Sequence, residues 1–332
     1  MRPLFHASLV NGRFGDPALY VETQFEARAV LFDLGDIVAL PPRKIQRIER
    51  VFVSHTHIDH FIGFDHLLRL SVGREKTIRL YGPEGFIESV HHKLRAYNWN
   101  LASQYKCDLV LDVSEITQAL ERRCARFRLK TAFAREDAGA DSAANGIIVN
   151  EPNFRVSIAV LEHRVPSIGY ALKEVTHVNV WKTRLAALDL PAGPWLRAFK
   201  HAILAGKEND YPIAVPGGMT RPLGTLREAA TVTDGQKIGY IADAAGTASN
   251  QQAIAALVHD ADLLFIEACF AETDAALAAE RAHLTTRQAG EIARAAHARR
   301  VEPFHFSPRY TGEEARMLDE VARAFAGPGA NE

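Results

Sequence analysis

An apolar run, Val51-Phe52-Val53, leads without a break into Ser54-His55-Thr56-His57-Ile58-Asp59-His60, and over residues 54–66 the chain places four histidines and two aspartates in thirteen positions. Few folds tolerate this. A strand that buries its side chains must end where such polar groups begin, because buried imidazoles and carboxylates need partners. If the segment leaves a strand into a loop, His55 and His57 converge on one metal ion while Asp59 and His60 reach a second. The plain alternative is a polar helix start with Asp59 as its cap. Four ligand positions directly after an apolar strand favour the metal.

Two ions need further ligands, and the ends of later strands offer them. His163 ends Ser157-Ile-Ala-Val-Leu-Glu-His, Asp243 ends Ile238-Gly-Tyr-Ile-Ala-Asp, and His305 lies in Val301-Glu-Pro-Phe-His-Phe. Singly, each reads as an ordinary strand-end residue. Jointly they complete two coordination sets, with Asp243 able to bridge the ions.

The surrounding pattern predicts short strands within 5–10, 18–24 and 29–35, a helix over 42–50, and the strand that carries the cluster. Helices are predicted over 63–73 and from 83, with a strand between them. Residues 107–175 are β-rich; in 121–130 the alternation of Cys124, Arg126, Arg128 and Lys130 with Phe127 and Leu129 marks a strand with one solvent face. Residues 176–236 break the order with Pro191, Pro194, Pro212, Pro216 and Pro222 and the pair Gly217-Gly218, as an inserted arm within a single 1–332 domain would. The final third alternates strand and helix. Strands with helices segregated at each end predict an α/β fold of two sheets with helices outside.

With 332 residues, 47% of them hydrophobic, the chain can build a large core. Its net charge of −1 gives no global pull on a polyanion, so any nucleic-acid contact needs a local basic patch. Cys107, Cys124 and Cys269 form no CxxC pair and read as reduced, buried thiols. No run approaches ~18 apolar residues and the N-terminus lacks a signal-peptide core, so a cytoplasmic protein without membrane contact is expected.

Beyond the histidine cluster, the strings Leu161-Glu-His-Arg-Val-Pro-Ser-Ile-Gly-Tyr-Ala-Leu, Gly239-Tyr-Ile-Ala-Asp-Ala, Phe265-Ile-Glu-Ala-Cys-Phe, Ala282-His-Leu-Thr-Thr-Arg-Gln-Ala-Gly and Phe304-His-Phe-Ser-Pro-Arg-Tyr resemble the ribonuclease Z branch of the metallo-β-lactamase superfamily. The resemblance implies a four-layer αββα sandwich. It also implies two zinc ions, with Mn²⁺ or Fe²⁺ as substitutes. One would be held by His55, His57 and His163, the other by Asp59, His60 and His305, with Asp243 between them. It further implies hydrolysis of a phosphodiester at the 3′ end of precursor transfer RNA, by a hydroxide held between the ions, and a homodimer.

In that scheme Asp59 ligates and orients the nucleophile, and Glu267 and His283 relay a proton to the leaving oxygen. Arg309 is a phosphate clamp. Asp33 supports a metal-binding imidazole. The family's bacterial members grip RNA with a projecting arm. This chain has Gly193-Pro194 followed by Arg197, Lys200 and Lys207, and eight Lys or Arg against five Asp or Glu over 171–230. The first strands depart from the family pattern, and Ile58 stands where the family usually has glycine. These departures keep a small phosphodiester, such as a cyclic nucleotide, as the alternative substrate.

Overall fold

The computed structural model describes residues 5–23 and 28–328. Gln24, the last residue of the second strand expected from sequence, lies outside that set. One compact unit runs to Lys173 and resumes at Gln236; Glu174–Gly235 form the other.

In the larger unit, β1 (Phe5–Leu9), β2 (Leu19–Thr23), β3 (Ala29–Phe32), β4 (Ile48–Phe52), β5 (Lys76–Pro83), β6 (Leu109–Ile116), β7 (Glu121–Arg128) and β8 (Arg135–Ser142) lie side by side in chain order. The pairs from β3 to β6 are parallel and the flanking pairs antiparallel. β9 (Ile147–Asn150), β10 (Phe154–Glu162) and β11 (Pro166–Glu174) begin a second sheet.

The smaller unit then contributes two strand pairs of its own. β12 (His177–Val180) pairs with β15 (Ala230–Thr233), and β13 (Pro212–Val215) with β14 (Met219–Pro222). Gly217 and Gly218 make the turn between β13 and β14, both at positive φ, a conformation that strains residues with a Cβ. The helix Trp195–Leu204 buries Phe199 and Ile203 against Ile213, Leu223 and Leu226, giving this unit a small core.

β16 (Lys237–Ile241), β17 (Leu263–Glu267) and β18 (Val301–Phe304) complete the second sheet, in the order β18-β17-β16-β11-β10-β9. Alternation within the central strands explains the layering. In β3, Ala29 and Leu31 join the core under the helices Phe64–Ser71 and Phe86–Arg95, whereas Val30 and Phe32 point between the sheets. In β17, Phe265 points between the sheets while Leu264 and Ile266 meet the helices Thr286–Ala295 and Glu314–Ala326. Strands buried on both faces carry apolar residues at nearly every position. The result is four layers, helices outside and two sheets within.

Two local expectations need correction, and one strand went unread. The helix expected over 42–50 covers only Pro42–Ile45, because Ile48 is fully buried in β4 opposite Ala29. The helix expected from residue 83 starts at Phe86, after Gly85 at positive φ. β8, Arg-Glu-Asp-Ala-Gly-Ala-Asp-Ser, was not legible as a strand, since all eight residues are exposed and no apolar alternation marks it.

Charge organises that edge instead. Asp112 sits opposite Arg126 with Nε 2.7 Å from its carboxylate, and Arg122 sits opposite Asp141 and bonds it. Arg128 reaches Asp108 at 3.1 Å and Arg123 reaches Glu121 at 2.8 Å. The basic run of β7 is thus a ladder of ion pairs rather than a free cationic face. Each exposed rung adds only about 0–1 kcal/mol; Arg122–Asp141 is the rung that reaches β8 and favours its register, while the others tie β7 to β6, to Asp108 before it, or to Glu121 on β7 itself.

Candidate metal centre

Strand ends deliver the chemistry. β4 runs through Val53 into Ser54 and His55, and the short helix Ile58–Phe61, with His57 at its N-cap position, carries Asp59 and His60. His163 follows β10, Asp243 follows β16, Glu267 ends β17 and His305 follows β18. His305 takes φ +59°, unusual for a residue with a Cβ, and such conformations concentrate at functional sites.

Asp33, after β3 and itself at φ +54°, ties these loops together. Its fully buried carboxylate accepts from Ser54 N at 2.6 Å, Ser54 Oγ at 2.8 Å, Tyr240 OH at 2.8 Å and His60 Nδ1 at 2.8 Å. Because the Ser54 hydroxyl donates to Asp33, it can accept from His55 Nδ1 at 3.1 Å. His163 Nδ1 donates to Ala282 O at 2.8 Å. Each ring thereby has its Nδ1 proton fixed and its Nε2 lone pair free to face inward, as a metal ligand requires.

At Gly35 and Gly63 the Asp33 loop and the histidine loop also approach backbone to backbone. A Cβ on Gly63 would lie 2.1 Å from Gly35 O, and one on Gly35 would lie 2.6 Å from Asp59 O. Gly63→Ala is therefore expected to destabilise the protein by about 1–3 kcal/mol, through overpacking against backbone that cannot yield locally. A thermal melt of the variant that matches the parent would refute this.

The inward-facing atoms form two groups around one carboxylate. Asp243 Oδ2 lies 3.7 Å from His55 Nε2 and 3.5 Å from His163 Nε2. Its Oδ1 lies 3.3 Å from His60 Nε2 and 3.1 Å from His305 Nδ1. Asp59 Oδ2 stands 3.6 Å from His60 Nε2 and 3.3 Å from His305 Nε2. His55, His57, His163 and Asp243 each offer one atom within 4.8 Å of the others, and Asp59, His60 and His305 do the same.

Four buried atoms here, His55 Nε2, His60 Nε2, Asp243 Oδ1 and His305 Nδ1, have no hydrogen-bond partner among the described residues. Buried polar atoms are rarely left so. Apart from one long bond between His305 Nε2 and Asp59, the imidazole and carboxylate atoms converge unbonded, which suits divalent cations, and the donor set fits such ions at both groups.

The electrostatics divide the cluster: at His60 and His305 burial opposes a charge, but Asp243 outweighs it and raises both, so a cation binding their ring nitrogens displaces protons, whereas the other groups already hold the ligating form. Burial, then the charge on His60, pushes His55 down to about 2, so it stays neutral. Burial also lowers His57, with His163 adding to the effect. At Asp59 burial opposes ionisation, but the hydrogen bond with His305 and the charge of His60 outweigh it and bring the carboxyl down to about 2. Asp243 is held well below the usual range despite its burial, by His305 and His60.

Glu267 and His283 sit beside this cluster. Glu267 is fully buried; Ala244 N donates to its Oε1 at 2.9 Å, Cys269 N to its Oε2 at 3.2 Å, and His283 Nδ1 lies 3.1 Å from Oε1. His283 Nε2 stands 3.9 Å from Asp243 Oδ2. Burial pulls His283 down, but the Glu267 carboxylate and then Asp243 more than offset it, raising it to about 9. Thr285 caps the next helix through a full capping box with Gln288, which fixes the loop carrying His283.

Arg309 is exposed, 3.5 Å from Asp274 and over the Phe270 and Tyr310 rings. It lines a cleft of about 410 Å³ with His57, His163 and His283. Arg197 and Lys200 are exposed on the helix Trp195–Leu204 of the smaller unit.

Sequence reasoning missed Ser54 and Tyr240, the donors that lock Asp33, and the cleft arginines Arg164 and Arg281. No periodicity marks them; their signal is adjacency to His163 and His283. Cys269, read as a buried thiol, is buried, yet it also lies within 4.8 Å of ligand atoms of Glu267, His283 and His305.

Known proteins with this design can now be set beside it. The beta-lactamase superfamily domain matches residues 28–219 and 219–306. Ribonuclease Z of Deinococcus radiodurans is 32% identical over 300 residues, covering 89% of this chain and 87% of the relative. Ribonuclease Z of Synechocystis is 30% identical over 287 residues, covering 85% and 74%. The crystal structure of human tRNase Z, short form, superposes with a TM-score of 0.53 at 18% identity over 92% of each chain, a likeness of fold. A four-layer sandwich with histidines and aspartates at its strand ends is the metallo-β-lactamase architecture, which binds divalent metal and serves hydrolysis. The chain belongs to the ribonuclease Z family within that superfamily.

Proposed function

We propose that the chain is a zinc-dependent endoribonuclease that removes 3′ extensions from precursor transfer RNA in the cytoplasm, working as a homodimer. The observation that carries this reading is the likeness to ribonuclease Z over 89% of the chain, beside a superfamily-domain match at residues 28–219 and 219–306 that takes in every residue of the metal centre. His55, His57 and His163 would hold one ion, and Asp59, His60 and His305 the other, with Asp243 shared. When bound, two such ions lower the pKa of a water and neutralise charge on the phosphate.

The chain's own groups do the rest. Asp59, ionised at any working pH, accepts a hydrogen bond from the attacking water and aims it in line with the leaving oxygen. His283 carries a proton at neutral pH, and Glu267 holds its Nδ1 side so that Nε2 faces the cleft. From there the proton passes to the 3′ oxygen as the P–O bond breaks. Arg309 supplies a fixed positive charge to the phosphate. The 176–236 arm, with Arg197 and Lys200 exposed, would grip the transfer RNA away from the cut.

Zinc-loaded protein is expected to cut a 3′-extended transcript once, at the discriminator base, and a chelator is expected to stop the reaction until metal is restored. An uncut transcript would overturn the proposal. A small phosphodiester is the second reading. It is favoured by Ile58, which is 76% exposed beside Asp59 on the motif loop and adds apolar surface with no phosphate-binding capacity.

A further inference from the structure

The cleft over the metal centre holds more positive charge than one phosphate needs. Arg164, Arg281 and Arg309 all line it, around a floor formed by His57, His163 and His283. Arg309 comes from the loop after β18. Arg164 and Arg281 come from elsewhere, the loop after β10 and the last turn of the helix Ala275–Arg281.

Those two segments are pinned to each other. Arg164 Nη2 donates to Glu280 O at 2.5 Å, and His163 Nδ1 donates to Ala282 O at 2.8 Å. The turn that receives both bonds is closed by Ala282 at φ +60°. A metal-facing imidazole and a cleft arginine are thus set by one helix end, so the positions of Arg164 and of the centre are linked. Among the described residues the ion-pair partner of Arg281, 59% exposed, is Glu280 at 3.8 Å, and that of Arg309, which also lies over the Phe270 and Tyr310 rings, is Asp274 at 3.5 Å. Three guanidinium groups therefore face two exposed or half-exposed carboxylates, and the arginines retain donors for a ligand.

We propose that Arg164 and Arg281 bind a backbone phosphate neighbouring the scissile one, so that the cleft selects an oligonucleotide over a mononucleotide diester. The inference deepens the ribonuclease reading and rests on it for the identity of the natural substrate. Guanidinium groups suit this task because each offers a fork of donors matched to two phosphate oxygens and stays charged at any working pH. With Arg309 on the scissile phosphate and the other two on its neighbour, a chain with consecutive phosphates engages donors that a cyclic nucleotide cannot reach. Leu277, on the cleft wall, gives the intervening base an apolar surface.

The test uses competition, so that it is read even if transfer RNA is not the substrate. A short single-stranded oligouridylate is titrated as an inhibitor of bis(p-nitrophenyl) phosphate hydrolysis by the metal-loaded full chain. In the Arg164→Ala/Arg281→Ala double variant, the inhibition constant should rise at least about tenfold more than the KM for the small diester. The slope of log affinity against log salt should flatten by about 0.7 for each phosphate that the variant no longer neutralises. Arg164→Lys/Arg281→Lys, which keeps the charge, should recover most of the salt slope, and metal content should match the parent in both. An unchanged inhibition constant and salt slope, or equal weakening on oligomer and small diester, would overturn the inference. An oligomer that binds as described while a 3′-extended transcript stays uncut would overturn only the transfer-RNA reading.

Discussion

Asp243→Asn is expected to strip the protein of bound metal and to lower cleavage of a 3′-extended transcript by at least about 10³-fold, the scale of several kcal/mol of lost transition-state stabilisation. The size follows from position. Asp243 is 3% exposed, and its two oxygens face His55 and His163 on one side and His60 and His305 on the other. The amide keeps the shape but removes the charge that lets so many imidazoles gather without repulsion. Metal content by atomic spectroscopy and transcript cleavage should fall together. An Asp243→Asn protein with full metal and undiminished rate would exclude this carboxylate from the centre. Asp243→Ala should melt at a lower temperature as well, because buried His60 and His305 lose the negative charge that raises them against burial.

The second large effect separates proton delivery from metal binding. His283→Ala and Glu267→Gln should each lower kcat on the transcript by about 10²–10³-fold with little change in KM, since general acid catalysis supplies about that much. Metal content should persist, because the Nε2 atoms of His55, His60 and His163 are oriented by other partners. The loss should shrink strongly on a p-nitrophenyl ester, whose leaving group departs without a proton. Equal losses on both substrates would assign the pair to binding or folding rather than to proton transfer.

Much of this was legible in the sequence, for a physical reason. Ligands at strand ends are announced by the apolar run that precedes them, so Val51-Phe52-Val53, Ile158-Ala-Val-Leu and Ile238-Gly-Tyr-Ile each point to the histidine or aspartate that follows. The layered architecture was readable in the same way, from strands apolar at nearly every position such as Ala29–Phe32. What stayed hidden depends on proximity across the fold. Tyr240 sits mid-strand like any core aromatic, and only the fold reveals its hydroxyl 2.8 Å from Asp33. Arg164 and Arg281 are far apart in sequence and meet only through the carbonyls of 280–282. β8 had no apolar period to betray it, because its pairing is written in charges on a neighbouring strand.

That charge ladder has a kinetic side. A polyanion diffusing over a protein lingers wherever unpaired cations collect, and each such stop delays arrival at the cleft. β7 carries four arginines in eight residues, Arg122, Arg123, Arg126 and Arg128, and would be such a trap if they were free. Their partners Asp141, Glu121, Asp112 and Asp108 cancel that field at short range. The edge that builds register therefore also silences a decoy, leaving productive encounters to the surfaces whose positive charge is uncancelled.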